Sequence, residues 1–173
     1  MRVLKSMSTI LIFSLIFGLA SCSTTKKKDN MNETNEATTM DQDMGSESMD
    51  IELNGDSDSG KAGALKTVYF DFNSSTLGGD ARSALTNNAE FLKNNAGVEV
   101  QIEGHADERG GVQYNLALGE KRAMTVKQYL VSMGVNSSRV STISFGKERP
   151  IAFGHDESSW SRNRRANFVV TAK

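Results

Sequence analysis

Gly104-His105-Ala106-Asp107-Glu108-Arg109-Gly110-Gly111 is a polar, glycine-rich stretch holding two acids, an arginine and a histidine. Asn115, Leu118 and Arg122 follow it at i, i+3 and i+7, which places them in one stripe if the chain is helical there. A loop acid beside a helical arginine could meet a charged ligand, and a helix N-terminus favours an anionic group. Bland alternatives stand beside this reading. Arg122 could be a solvated arginine paired with Glu103 or Asp107, and Asp107 could cap a turn. His105 and His155 could be metal ligands, but no cysteine and no two-histidine helical spacing accompanies them, so no metal is expected.

The elements that must position these groups alternate. Thr67-Val68-Tyr69-Phe70-Asp71-Phe72 is β-branched and aromatic, a buried strand by composition. Asp80 after Gly78-Gly79 suits a helix cap, and Leu85, Ala89 and Leu92 give that helix an apolar face ended by Asn94-Asn95 and Gly97. Val98 to Glu103 alternates at period two. A long helix is expected from about Tyr114 to Met133, with Gly134 as its C′ residue. Its stripe of Leu116, Gly119, Ala123, Val126, Leu130 and Met133 should pack on a sheet, Gly119 allowing close approach. Thr142-Ile143-Ser144-Phe145 and the alternating Ala166, Phe168 and Val170 are two further strands. A long loop with Pro150, Gly154 and Trp160 joins them.

The order is β-α-β-α-β-β, an α/β (α+β) fold. Two main helices lie on one face of a mixed four-stranded sheet, the first three strands parallel. In open α/β sheets ligands bind outside the carboxyl ends of the parallel strands. Phe72-Asn73, Asp107 and the start of the second helix converge on that rim. Neither Asp107 nor Arg122 belongs to an apolar stripe, so neither is expected to matter much for folding.

Cys22 is the chain's one cysteine and ends Leu19-Ala20-Ser21-Cys22. Basic Arg2 and Lys5 precede an apolar run from Thr9 to Ala20, too short to span a bilayer comfortably but suited to a signal peptide. The pattern resembles the bacterial lipobox, which implies cleavage after residue 21 and acylation of Cys22. An ordinary secretory signal with a stray cysteine is the alternative. Residues 23–65 carry ten acids against four bases and no aromatic residue, and are expected to be a disordered acidic tether. Residues 66–173 are mildly basic, a single-domain length that gives no argument for nucleic acid. The expected division is a signal peptide over 1–21, lipidated Cys22 and tether over 22–65, and a binding domain over 66–173.

Gly104-His105-Ala106-Asp107-Glu108-Arg109-Gly110, Tyr114-Asn115, Leu118-Gly119-Glu120-Lys121-Arg122-Ala123, Val126 and Leu130 together resemble the OmpA-like peptidoglycan-binding domain. Val68-Tyr69-Phe70, Phe145 to Pro150, Gly154 to Glu157 and Ser161 to Ala166 are similar to its peptidoglycan-associated lipoprotein branch. The resemblance implies a non-covalent, cofactor-free site for peptidoglycan stem peptides, centred on meso-diaminopimelate. Asp107 would accept from the ligand ammonium, and Arg122 would fork onto its carboxylate. Asn115, Leu118, Phe72 and Asn73 would line the cleft, with Arg109 beside the ligand or the loop backbone. Asn73 departs from an aspartate found in several members of that branch. The resemblance further implies outer-membrane lipids held through acylated Cys22, a domain facing the periplasm, and TolB and other Tol–Pal components as partners in division.

Two other function classes fit less well. A cell-wall hydrolase would need a spaced acid/base pair, whereas Asp107 and Glu108 are neighbours on one loop. A barrel-linked porin or a flagellar stator component would need barrel strands or a membrane helix that the chain does not display.

Overall fold

The computed structural model describes residues 50–173. The expected signal peptide, Cys22 and the tether up to residue 49 lie outside the described residues. Four strands and three α-helices follow one another as β1 (Val68–Tyr69), α1 (Gly79–Asn94), β2 (Glu99–His105), α2 (Val112–Ser132), β3 (Val140–Gly146), α3 (Glu157–Asn163) and β4 (Arg165–Ala172). A 3-10 turn at Ser137–Arg139 leads into β3.

The periodicities do what their spacing requires. Leu85, Ala89 and Leu92 of α1 are fully buried, as are Ala123, Val126 and Leu130 of α2. Both helices cover the sheet face that carries Val100, Ile102, Ala166, Phe168 and Val170, all buried. The end of α2 is a Schellman closure. Gly134 adopts φ 95°, and the Val135 N–H donates to the Leu130 carbonyl at 3.1 Å. Asp80, expected as a cap, lies in the first turn of α1 instead; the N-cap is Gly78, with no side-chain bond.

Sheet order is β1-β4-β2-β3. β2 and β3 are parallel, while β4 runs antiparallel to both β2 and β1. β1, β2 and β3 therefore share one direction, and their carboxyl ends open onto one rim. The last strand inserts between the first two, which the linear order of elements did not reveal. The close approach expected at Gly119 is present. A Cβ there would meet Ser144 Oγ at 2.3 Å, and one on Gly104 would meet the Gly119 carbonyl oxygen at 1.9 Å.

Two expectations are corrected. The loop before β4 contains α3, whose N-cap Asp156 accepts from the Ser159 N–H at 2.9 Å. Residues 50–65 also belong to the fold rather than to the tether. Asn54 N–H donates to the Val170 carbonyl at 2.9 Å, Val170 N–H to Gly55 at 3.0 Å and Ser57 N–H to Phe168 at 2.9 Å. This segment continues the β4 edge beyond two-residue β1. Ala62 and Leu65 enter the core, and Asp58 receives Arg165 Nε at 2.7 Å. Its order rests on main-chain pairing and two small apolar anchors, which an acidic composition conceals.

Candidate functional site

Three segments meet at the carboxyl rim of β1 and β2. The β1–α1 loop brings Phe72 and Asn73, the β2–α2 loop brings Asp107 and Arg109, and α2 brings Asn115, Leu118 and Arg122. All of these residues line one cavity of about 190 Å³, with Ala106, Gly110 and Tyr114. A larger depression of about 650 Å³ lies between β1 and the start of α1. Arg164 is the one buried charged side chain among its lining residues, so it lacks the converging charges of the rim.

Arg122 is not the solvated arginine of the bland reading. It is fully buried, and its guanidinium donates to three main-chain oxygens: Nε to Ser74 at 2.8 Å, Nη1 to His105 at 2.8 Å and Nη2 to Asp71 at 3.0 Å. Burial pushes its pKa down to about 10, partly offset by the Asp107 charge, so it remains a cation at neutral pH. An arginine has five N–H donors. That leaves one N–H on each Nη without a partner in these three bonds. These bonds speak against the expectation that Arg122 matters little for folding, because they tie the β1–α1 loop and the end of β2 to α2.

Asp107 is 4% exposed and strongly partnered. Oδ1 accepts from the Arg109 N–H and Nε, each at 3.2 Å. Oδ2 accepts from Arg109 Nη2 at 2.6 Å and from Arg164 Nη1 at 3.4 Å. Burial opposes ionisation, but the Arg109 hydrogen bonds and charge outweigh it, with Arg164 assisting, and hold the carboxyl below its usual range. Asp107 is thus an ionised acid embraced by two arginines, and it also caps its own turn through the Arg109 N–H, as the bland reading had it.

The other expected residues fall into distinct roles. Asn115 is buried, and its Nδ2 donates to the Arg109 carbonyl at 2.9 Å, shaping the loop. Asn73 sits at φ 52° and accepts from the Tyr114 hydroxyl, which closes the rim between the β1–α1 loop and the start of α2. Leu118 supplies the apolar wall. The His105 side chain points to the opposite sheet face, its ring 5.7 Å from that of Phe145 and its Nε2 3.5 Å from Glu103 Oε2.

Three contributors were not expected. Tyr114 lines the cavity. Arg164 is buried against Asp107 and donates Nε to the Phe70 carbonyl at 3.0 Å. Trp160 on α3 stacks on Arg109. Tyr114 was available from spacing, one residue before the Asn115 stripe. Arg164 and Trp160 follow a long irregular connection, and no local pattern points from there to Asp107.

Residues 69–164 match the OmpA family, more than half of the chain. The chain belongs to the OmpA family. Within the family it is similar to the peptidoglycan-associated lipoprotein of Pseudomonas aeruginosa, 50% identical over 109 residues, which are 63% of this chain and 64% of that protein. It is also 50% identical to the peptidoglycan-associated lipoprotein of Mesorhizobium japonicum over 99 residues, 57% of this chain and 59% of that one. The chain therefore spans less than two thirds of the length of these curated relatives. The crystal structure of the peptidoglycan-associated lipoprotein from Burkholderia pseudomallei superposes with a TM-score of 0.58 at 44% identity, covering 60% of this chain and 88% of that one. The mixed sheet with its helices is thus the OmpA-like fold.

Proposed function

We propose that this OmpA-family chain is a non-enzymatic, lipid-anchored binding module that grips peptidoglycan stem peptides through meso-diaminopimelate and holds the outer membrane to the wall. The observation that carries this is the convergence of buried, opposite charges, Asp107 and Arg122, in one cavity at the strand ends. The free end of diaminopimelate bears an ammonium and a carboxylate on one carbon. The two remaining Arg122 N–H groups suit its carboxylate and Asp107 its ammonium, while Leu118 and Phe72 flank the carbon chain.

The relatives, peptidoglycan-associated lipoproteins by name, agree with wall association and lipidation. Lipidation would fall on Cys22, with the domain in the periplasm. The same resemblance supports TolB and other Tol–Pal components as partners in outer-membrane constriction at division. Hydrolysis is disfavoured by the chemistry of the acids. Asp107 is held ionised by its arginines rather than protonated, and Glu108 Oε1 is engaged by Trp160 Nε1 at 2.8 Å and His155 Nδ1 at 2.7 Å.

Sedimentation of the whole protein with purified sacculi tests the site. Arg122→Ala and Asp107→Ala should each weaken binding well over tenfold, the scale of about 2–5 kcal/mol for one partner lost from a desolvated charge pair. Undiminished binding by the double substitution rejects the site. For the anchor, fatty-acid labelling should disappear in Cys22→Ser; label retained there places the lipid elsewhere.

A further inference from the structure

Arg109 is the site residue whose position wall binding leaves unexplained. Its guanidinium lies between two aromatic rings, 4.0 Å from the Phe72 centroid and 4.1 Å from that of Trp160. Each Asp107 oxygen already has two donors, three of the four supplied by Arg109. A carboxylate oxygen offers about two lone-pair directions. With Arg109 in place, Asp107 has nothing to give an incoming ammonium.

The surroundings are built independently of Arg109. Trp160 is held by α3 and by its bond to Glu108. Phe72 keeps 59% of its surface exposed at the rim, its ring covered by the guanidinium. The cavity of about 190 Å³ does not reach Trp160, because Arg109 is the wall between them. That volume is below the roughly 300–1,000 Å³ usual for ligand pockets. Two aromatic faces and a buried carboxylate are the components of a cation cage.

The geometry points to an internal latch: Arg109 occupies a cation subsite formed by Phe72, Trp160 and Asp107, and the alkylammonium of a ligand takes its place. The inference rests on the wall-binding reading and deepens it, adding Trp160 to the site and making a primary ammonium the group that opens it. A ligand binds only the fraction of molecules in which Arg109 has swung out, so the latch lowers apparent affinity by that fraction. Ligands bearing a carboxylate alone gain nothing from displacing it. They leave Asp107 with Arg109.

Trp160 is the only tryptophan in the chain, so its emission reads the stack directly. In the whole protein without ligand, Arg109→Met should shift that emission, and an unchanged spectrum overturns the stack. By calorimetry, Arg109→Met should bind meso-diaminopimelate about fivefold more tightly than wild type, as it would if Arg109 fills the subsite about four-fifths of the time. Pimelate, which has no ammonium, should show no such gain. Adding Trp160→Leu to Arg109→Met should remove most of the gain. Weaker binding by Arg109→Met, equal gains for both probes, or indifference to Trp160→Leu each overturns the latch. Arg109→Gln, polar and similar in length, repeats the comparison should the methionine variant fold poorly. If wild type sediments with sacculi while Arg109→Met binds the probe no better, the latch alone fails. If neither protein binds meso-diaminopimelate, the wall-binding reading fails with it.

Discussion

Arg122 Nη1 donates across 2.8 Å to the main-chain oxygen of His105, joining the helix that presents the cavity to the strand that ends at it. With its bonds to Ser74 and Asp71, one side chain holds two loop carbonyls and a strand end. Arg122→Ala should therefore lose stability as well as binding, by about 2–4 kcal/mol, since buried acceptors are left without donors. Urea unfolding reads this as a lower midpoint at unchanged slope. A wild-type midpoint would mean that water replaces the guanidinium at no cost. Wall binding by this variant is therefore to be measured under conditions where it is fully folded.

Stability should fall in two steps as acid is added. His105 has its pKa lowered, chiefly by burial, so the unfolded chain takes up a proton that the folded one resists. Its contribution is present above the ordinary histidine value near 6.5 and lost as pH falls below it. Asp107, held below its usual range by Arg109, contributes above the ordinary carboxylate value near 3.9 and loses that contribution as pH falls through its folded pKa. Exposed His155 works the other way. Glu108 raises its pKa, so its contribution is present in acid and lost as pH rises. Unfolding midpoints across pH should keep the upper step in Asp107→Asn while the lower one shrinks. Identical profiles would remove Asp107 from the linkage.

Gly119→Ala should cost about 1–3 kcal/mol through overpacking. The new methyl would meet Ser144 Oγ at 2.3 Å and the Gly104 carbonyl oxygen at 2.7 Å, pushing α2 off β2. Because α2 carries Asn115, Leu118 and Arg122, sacculus binding should fall along with the melting temperature. A variant that is destabilised yet binds fully would show that the cavity tolerates the shift.

Removing residues 1–65 should destabilise the domain relative to removing 1–49. Leu65, 3% exposed, and Ala62, fully buried, would leave the core, and burial of a leucine alone is worth about 1.5–3 kcal/mol. The Val170 N–H, paired now with Gly55, would be released at the same time. Equal unfolding midpoints for the two truncations would make residues 50–65 an ornament on the edge.

The parts of the molecule legible in the sequence are those written in local periodicity. The apolar stripes of α1 and α2, the Gly119 approach and the helical stripe of Asn115, Leu118 and Arg122 all follow from spacing. Their convergence with Phe72, Asn73 and Asp107 follows from strands sharing a direction. What stayed hidden depends on partners far apart in the chain. Arg122 carries no local sign that three carbonyls surround it. The pairing of residues 54–57 with β4 uses main-chain groups that every residue type possesses. Insertion of β4 between β1 and β2 is a choice of neighbours that element order leaves open. The seven residues of α3 are too few for a periodic signature.

The edge segment also decides how the domain carries a load. Residues 54–57 run antiparallel to β4, with Asn54 against Val170 and Ser57 against Phe168. Residue 50 therefore leaves the sheet at the end opposite the cavity, close to the carboxyl end of β4. A pull between a bound wall fragment and the chain entering at residue 50 acts along the strands. The hydrogen bonds to β4 are then loaded together in shear, not opened one at a time from an end. Forced release of this segment from β4 would follow its rate of unfolding rather than its equilibrium stability. A short stretch of main chain thus sets the direction in which the domain would bear force if the proposed wall contact and anchor both hold.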